Sequence, residues 1–247
     1  MKVPIPQILF FLLFLGCNEE SKLAYEPLTI SDTACDSCPK IGVEIPKALD
    51  RTKLADTINT ALEEELISLL VYDDDIEAST VSEAIQSFKN GYTELKKLYP
   101  DETTGWEAKI TGSVSYEDKD ILTITLNSYL FTGGAHGYTT RRFLNFDKRK
   151  GTEIENWELF KDRERFEHFA ETKFRIQEAI PLGDPINSTG FMFEEDTFYL
   201  PENIGYTEGG LVLLYNQYEV ASYADGAIEV VLPYTEVKGY LARKIKL

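Results

Sequence analysis

The chain has 247 residues and is 43% hydrophobic, which is enough to bury the core of one large domain or two small ones and excludes a mainly disordered protein. It carries 25 Lys and Arg against 42 Asp and Glu, a formal charge of −17, so its surface repels nucleic acid and anionic lipid. We therefore expect no nucleic-acid partner.

Residues 1–16 have the pattern of an export signal. Ile8 to Leu15 is an unbroken apolar run that is too short to span a bilayer, and Gly16 and Cys17 follow it directly. A small residue before a cysteine at this place resembles the bacterial lipobox, although Phe14 stands where that motif usually has an aliphatic residue. We predict cleavage after residue 16 and acylation of Cys17, so that lipid anchors the protein to a membrane. The alternative is an ordinary secretory signal that is cleaved elsewhere.

Residues 17–40 are the predicted tether between membrane and domain, because they are rich in Ser, Thr, Asp and Glu and lack sustained periodicity. Export favours a structural disulfide between Cys35 and Cys38. A redox dithiol is less favoured, because the motif does not lie between a strand and a helix. A zinc site that adds His136 and His168 is also disfavoured, since the two histidines are 32 positions apart rather than roughly three to five. We expect no metal and no cofactor.

From residue 41 the sequence predicts a folded α+β domain. Apolar residues at helical spacing predict helices over 50–70, 81–99, 162–180 and 233–241. Apolar residues that alternate with polar ones predict strands over 41–46, 106–116, 122–126, 138–146, 196–200, 210–216 and 227–232. Helices and strands come in separate groups with several hairpins, which favours a largely antiparallel sheet with helices packed on it.

Most signatures of known chemistry are missing from the sequence. It contains no Gly-x-Ser-x-Gly, no His-Glu-x-x-His and no glycine-rich phosphate or dinucleotide loop. Nucleophilic hydrolases, zincins and nucleotide enzymes are therefore poor hypotheses. Carboxylate pairs of the glycosidase kind carry little information among 42 acidic residues. We assign no catalytic residue.

The one unusual local sequence is Thr-Gly-Gly-Ala-His-Gly over 132–137, between two predicted strands. Gly133, Gly134 and Gly137 permit backbone conformations and close approaches that other residues exclude. His136 is one of two histidines and has the chemistry of an acid or base near neutral pH. The favoured interpretation is a bulged strand connection whose histidine caps a turn, and the alternative is a functional site.

This loop is the first part of a family resemblance, which continues with Asn145-Phe146-Asp147, Gly151 and Leu159-Phe160. It resembles an uncharacterised bacterial extracytoplasmic domain that RsiV-type anti-sigma factors share with PdaC-type peptidoglycan deacetylases. The stretch over 215–230, with Pro233-Tyr234, is the stronger match, although Gln217 replaces a usual Pro. The resemblance implies two adjoining modules, a PdaC-like module over 41–160 and an RsiV-like module over 161–247.

The shared part of this family is a sensing or binding module, which in the anti-sigma relatives recognises lysozyme. The sigma-binding segment and the metal-dependent deacetylase domain of the relatives have no counterpart in this sequence, so those activities are not transferred. We expect a lipid-anchored cell-envelope protein, at the outer membrane and facing the periplasm or the surface. It would bind a basic, lysozyme-like protein or cell-wall peptidoglycan without catalysing a reaction. The candidate binding residues are Gly133, Gly134, His136, Gly137, Tyr218 and Tyr223.

An alternative hypothesis is a hydrolase of envelope glycan or peptide that uses His136 with a carboxylate. The charge distribution bears on the binding hypothesis. Residues 54–88 hold nine acidic residues and no Lys or Arg, and residues 176–237 hold eleven and none, so these two stretches contribute −20. If the two stretches meet on one face, they form a docking surface, and otherwise they serve solubility.

Overall fold

The computed structural model describes residues 22–32, 38–72, 77–101 and 103–245, which form two sheets with helices packed on them. The first sheet contains β1 (Tyr25–Asp32), β2 (Lys40–Ala48), β3 (Glu107–Glu117), β4 (Ile121–Phe131), β5 (Tyr138–Asp147) and β6 (Thr152–Glu153), in that order. The second contains β7 (Asn203–Thr207), β8 (Gly210–Tyr215) and β9 (Ile228–Leu232). The α-helices are α1 (Lys53–Leu70), α2 (Val81–Leu98), α3 (Arg163–Gln177) and α4 (Tyr234–Val237).

The strand order confirms the predicted α+β class with a largely antiparallel sheet. Every neighbouring pair is antiparallel except β2 and β3. That pair is parallel because the chain leaves β2, forms α1 and α2, and returns beside β2, as a crossover connection requires. None of the described helices is long and apolar enough to cross a bilayer.

One face of the six-stranded sheet is covered by α1 and α2. Both helices begin at a threonine cap, since the Thr52 side chain accepts a hydrogen bond from the Ala55 amide and the Thr80 side chain accepts one from the Glu83 amide. The buried stripe of α1 packs with alternate residues of the central strands in one hydrophobic cluster. Trp106 is 1% exposed within this cluster and contacts three aromatic rings.

The opposite face of that sheet carries the second module. Its core joins the three-stranded sheet to α3 through buried aromatic residues such as Phe174 and Tyr215, and it includes Ile121 from β4. Along β5, even-numbered residues such as Leu144 face α1 and odd-numbered residues such as Phe143 face the second module. Strand β5 is therefore sandwiched between α1 and the three-stranded sheet of the second module.

The tether prediction is wrong for residues 25–32, which form β1 paired with β2 along its whole length. Leu28 and Ile30 of this strand pack against the first cluster. Two apolar residues among Ser, Thr, Asp and Pro give a weak local signal, and the partner strand supplies the stabilisation that the local sequence lacks.

The predicted strand over 196–200 is also wrong. Phe198 and Leu200 are each 5% exposed, so the alternation reflects true burial, but the backbone pairs with no strand in the described structure. A 3-10 turn with Glu195 at φ 52° precedes it, Pro201 follows it, and the chain enters β7 only at Asn203. The predicted last helix is confined to Tyr234–Val237.

Candidate functional site

Two loops from the two modules bring three of the predicted binding residues together. The imidazole of His136 stacks on the ring of Tyr223, with 3.6 Å between ring centroids and 14° between ring planes. The ring of Tyr218 lies 6.5 Å from His136 and 5.7 Å from Tyr223, and its hydroxyl is 3.5 Å from His136 Nε2. We call His136, Tyr218 and Tyr223 the ring cluster.

The ring cluster is open to solvent and one of its members is held in an unusual backbone conformation. Tyr218 is 54% exposed, and its φ of 66° lies in the left-handed region that aromatic residues seldom adopt. Such a conformation costs about 1–3 kcal/mol and persists only where surrounding contacts fix it. This combination is typical of a residue that presents its ring to a ligand.

The three predicted glycines shape the loop that carries His136. Gly133 and Gly134 have φ angles of 106° and 86°, which are accessible to glycine without strain. A Cβ added to Gly137 would lie 2.4 Å from the ring of Tyr129, so that ring packs directly on the glycine backbone. The glycines therefore position the loop, and the ring cluster supplies the contact surface.

Side chains of the β8–β9 loop dock on the open edge of β5. The Asn216 side chain accepts a hydrogen bond from the Arg141 amide at 2.9 Å and donates one to the Arg141 carbonyl at 3.1 Å. The Gln217 side chain accepts one from the Thr139 amide at 3.3 Å. Because β6 covers β5 only at its last two residues, these side chains replace a neighbouring strand and fix the ring cluster.

Two successive arginines on β5 connect the two acidic stretches. Arg141 forms an ion pair with Glu229 of the second module, and Arg142 forms one with Glu65 of α1. Burial raises the pKa of Glu65, and the carboxylate of Glu64 adds to this rise, whereas the positive charge of Arg142 lowers the pKa by a smaller amount. For Glu153, burial and the neighbouring Glu155 likewise raise the pKa.

Two adjoining cavities lead from Glu65 of the first acidic stretch to the loop that carries Tyr218. A cavity of about 190 Å³ is lined by Glu65 on one side and by Asn203 and Asn216 on the other. A second cavity of about 150 Å³ shares Arg141 and Asn216 with the first and extends to Gln217, beside the ring cluster. We call this continuous region the junction surface.

The carboxylates around the junction surface leave it with an excess of negative charge. Glu64, Glu153 and Glu219 take part in no ion pair within the described residues. Burial raises the pKa of Glu219, and Glu202 adds to that effect, while the amide of Asn216 opposes it by donating a hydrogen bond.

Other predicted site residues lie elsewhere. Cys17 and Cys35 fall outside the described residues, and Cys38 is disulfide-bonded. His168 lies on α3, where its carbonyl accepts a hydrogen bond from Thr172. Over 22–32, 38–72, 77–101 and 103–245, no group of three or more His, Cys, Asp or Glu has an arrangement that would hold a metal ion.

Sequence reasoning missed the residues that connect the modules. Asn216 and Arg141 carry no motif of their own, and their roles depend on which strand they face. The one available signal is the interruption of the β8 pattern by Asn216-Gln217, which departs from the usual Pro of the resembled family.

Comparison with known proteins supports the two-module description. Residues 34–139 match the family model described as deacetylase PdaC, and residues 157–235 match a family of unknown function, DUF3298. No curated protein gives a significant match. The two family matches indicate an envelope-associated protein of the extracytoplasmic kind.

Solved structures show the same fold. A DUF3298 family protein from Pseudomonas aeruginosa PAO1 has 21% sequence identity and a TM-score of 0.68, and the match covers 90% of this chain and 95% of that one. A DUF3298 family member from Bacteroides fragilis has 20% identity and a TM-score of 0.68, covering 90% of this chain and 94% of that one.

Proposed function

We propose that this chain, which joins a PdaC-like segment to a DUF3298-like segment, is a lipid-anchored envelope protein that binds a basic protein of the lysozyme kind at the junction surface. The supporting observation is the continuity of that surface, because Glu65 from one acidic stretch and Asn216 beside the ring cluster line the same cavity. Glu65 of the first acidic stretch therefore lies in a cavity that adjoins the one lined by Gln217, the residue before Tyr218.

The chemistry of the junction surface suits cationic side chains. Arg141 and Arg142 are each engaged by a carboxylate, so the unpaired charges nearby are negative. An arginine or lysine of a partner would find carboxylates to pair with and tyrosine faces for cation–π contact, each worth about 0.5–1 kcal/mol at an exposed site. Charge complementarity of this kind accelerates association and makes binding sensitive to salt.

The surroundings of His136 favour binding over hydrolysis. Its described ring contacts are with Tyr218 and Tyr223, and its Nε2 faces the Tyr218 hydroxyl. A general base of the kind that the hydrolase hypothesis needs is usually oriented by a carboxylate, and the contacts of His136 within the described residues include none. The stacked ring serves as part of a contact surface.

The proposal is tested by measuring the binding of a c-type lysozyme to the protein by surface plasmon resonance. A soluble version should start no later than Lys22, because β1 is part of the sheet. We expect saturable binding that weakens at least tenfold between about 0.05 and 0.3 M NaCl, as electrostatic docking requires. Binding that is absent at low salt, or that is unchanged by salt, would contradict the proposal.

Three variants locate the binding surface. Tyr218→Asn removes the ring while asparagine tolerates the left-handed backbone, and Glu64→Gln removes one unpaired charge. We expect roughly tenfold weaker lysozyme binding for the first and a smaller loss, mainly in the association rate, for the second. Glu94→Gln, on the exposed side of α2, removes the same charge outside the junction surface and should bind like the wild type.

The anchor is tested separately. Cys17 acylation predicts that the full chain partitions with the membrane fraction and that Cys17→Ser moves it to the soluble fraction. An unchanged distribution of the Cys17→Ser variant would refute the anchor and leave the binding proposal in place.

A further inference from the structure

Trp157 is an exposed tryptophan on a fixed piece of backbone. Its side chain is 69% exposed, whereas Trp106, the other tryptophan of the chain, is 1% exposed. Burying a side chain of this size stabilises a fold strongly, so the exposure of Trp157 forgoes a large stabilisation. Exposed tryptophans on rigid backbone are enriched among residues that carry binding energy.

The backbone around Trp157 is held from both sides. It sits in a 3-10 turn closed by a capping box between Glu155 and Glu158. Asn156 donates a side-chain hydrogen bond to the Glu202 carbonyl, and Arg243 donates one to the Glu158 carbonyl at 3.0 Å. The indole is therefore presented in a defined position rather than on a loose loop.

Trp157 forms one wall of a cleft of about 250 Å³, and the residues that line this cleft fall into two groups. The floor is apolar and buried, with Phe160, Leu200, Pro201 and Ile204. The rim is polar, with Glu155, Asn156, Arg163 and Glu202. A buried apolar floor with a polar rim offers both a stacking surface and hydrogen-bond partners to a small polar ligand.

The charged groups of the rim form no ion pairs within the described residues, although the Glu155 carboxylate also accepts the hydrogen bond of the capping box. Glu155, Arg163 and Glu202 are all exposed, and none of them takes part in an ion pair within the described residues. Arg163 is the first residue of α3, where a positive charge opposes the helix dipole. A cation in that position with no partner is a cost to stability that a ligand contact would explain.

We propose that this cleft binds a pyranose ring of a glycan. The apolar C–H face of such a ring matches the indole of Trp157, while its ring hydroxyls can donate to the carboxylates of Glu155 and Glu202 and accept from Arg163. The cleft volume is of the size of one sugar residue with part of the next. Guanidinium and carboxylates together on one rim suit a neutral, hydroxyl-rich ligand better than a cation, which Arg163 would repel. The site uses residues other than the ring cluster and does not depend on the proposed lysozyme binding.

The test uses chitotetraose, a neutral N-acetylglucosamine oligomer, as the probe for the full chain. We expect saturable binding by calorimetry and protection of Trp157 from acrylamide quenching, while the buried Trp106 provides a constant background. Because the ligand is neutral, the affinity should change less than about twofold when NaCl is raised from about 0.05 to 0.5 M.

Variants connect the binding to the cleft. Trp157→Ala should weaken chitotetraose binding at least tenfold, as expected for the loss of an aromatic anchor, and Arg163→Ala and Glu202→Gln should each weaken it severalfold. Tyr99→Ala, which removes a ring that is 61% exposed at the end of α2, should bind like the wild type. Unchanged far-UV circular dichroism and Trp106 emission would show that the Trp157→Ala variant is folded.

Three outcomes would overturn the proposal. The first is that chitotetraose does not bind, and the second is that the folded Trp157→Ala variant binds it as well as the wild type does. The third is that tetralysine binds in a salt-sensitive way while the sugar does not, which would identify the cleft as a cation site. Lysozyme binding is measured in parallel, and its loss by Tyr218→Asn but not by Trp157→Ala would keep the two proposals distinguishable.

Discussion

Asn145→Ala should destabilise the whole chain, because this side chain links the two modules through the middle of the sheet. Asn145 is 3% exposed, accepts a hydrogen bond from the Thr123 hydroxyl at 2.9 Å and donates one to the Ile204 carbonyl at 2.7 Å. The substitution leaves both partners buried without this contact. At about 1–3 kcal/mol for each of the two buried groups that lose a partner, the expected loss is about 2–6 kcal/mol, a large part of a typical stability of about 5–15 kcal/mol.

The measurement is equilibrium unfolding in urea, followed at two places in the chain. Trp106 fluorescence, recorded in a Trp157→Phe background, reports on the first module, and far-UV circular dichroism reports on both modules. We expect the two transitions to coincide and to shift together to lower urea. Asn127→Ala, an exposed position on β4, is the matched control and should change the unfolding free energy by less than about 0.5 kcal/mol.

Two results would refute this reasoning. A loss below about 0.5 kcal/mol for Asn145→Ala would mean that the buried amide contributes nothing net, against the expectation for a satisfied buried group. An unshifted Trp106 transition, with a separate early transition in circular dichroism, would mean that the modules unfold independently.

Three further predictions test the packing, the electrostatics and the chemistry of the junction. Gly205→Ala should lower stability by about 1–3 kcal/mol in thermal unfolding, because its Cβ would lie 2.1 Å from the ring of Phe143, whereas Gly183→Ala, in open space, should not. Glu153→Gln should be more stable than the wild type at pH 7, since a carboxyl whose pKa is raised on folding opposes folding when it is ionised. The difference in stability should vanish as the pH falls below the ordinary glutamate pKa of about 4.3, where the carboxyl is protonated in both states. A wild type that is more stable than the variant at pH 7 would contradict this reasoning. His136→Ala should keep the fold and weaken lysozyme binding severalfold by removing the ring under Tyr223, whereas an envelope-glycan turnover present in the wild type and lost in this variant would establish the hydrolase instead.

The sequence predicted those elements whose stabilisation is local. The apolar stripe of α1 lies within one segment of the sequence, and so does the alternation of β4. Strand β1 and strand β7 were missed because most of their stabilisation comes from a partner strand. The buried residues Phe198 and Leu200 led to a predicted strand that does not form, since alternating burial also arises in an extended segment that pairs with no strand.

The sequence identified the residues of the candidate site but not how they are arranged in space. The glycine-rich loop and the tyrosine-rich stretch were identified separately, and the sequence contains nothing that places His136 on Tyr223. Their contact depends on Asn216, which bridges from the β8–β9 loop to the backbone of β5. Trp157 was missed because the sequence does not distinguish an exposed tryptophan from a buried one.

The convergence of the two acidic stretches follows from the sandwiched position of β5. Successive side chains of a strand point to opposite faces, so Arg141 reaches Glu229 of the second module while Arg142 reaches Glu65 of α1. Each arginine thereby ties one acidic segment to the same strand and offsets part of its self-repulsion. Because β6 leaves most of that strand edge uncovered, Glu65 and Asn216 line a cavity at this edge. The alternation of Arg141 and Arg142 thus brings one carboxylate from each acidic stretch to the same strand.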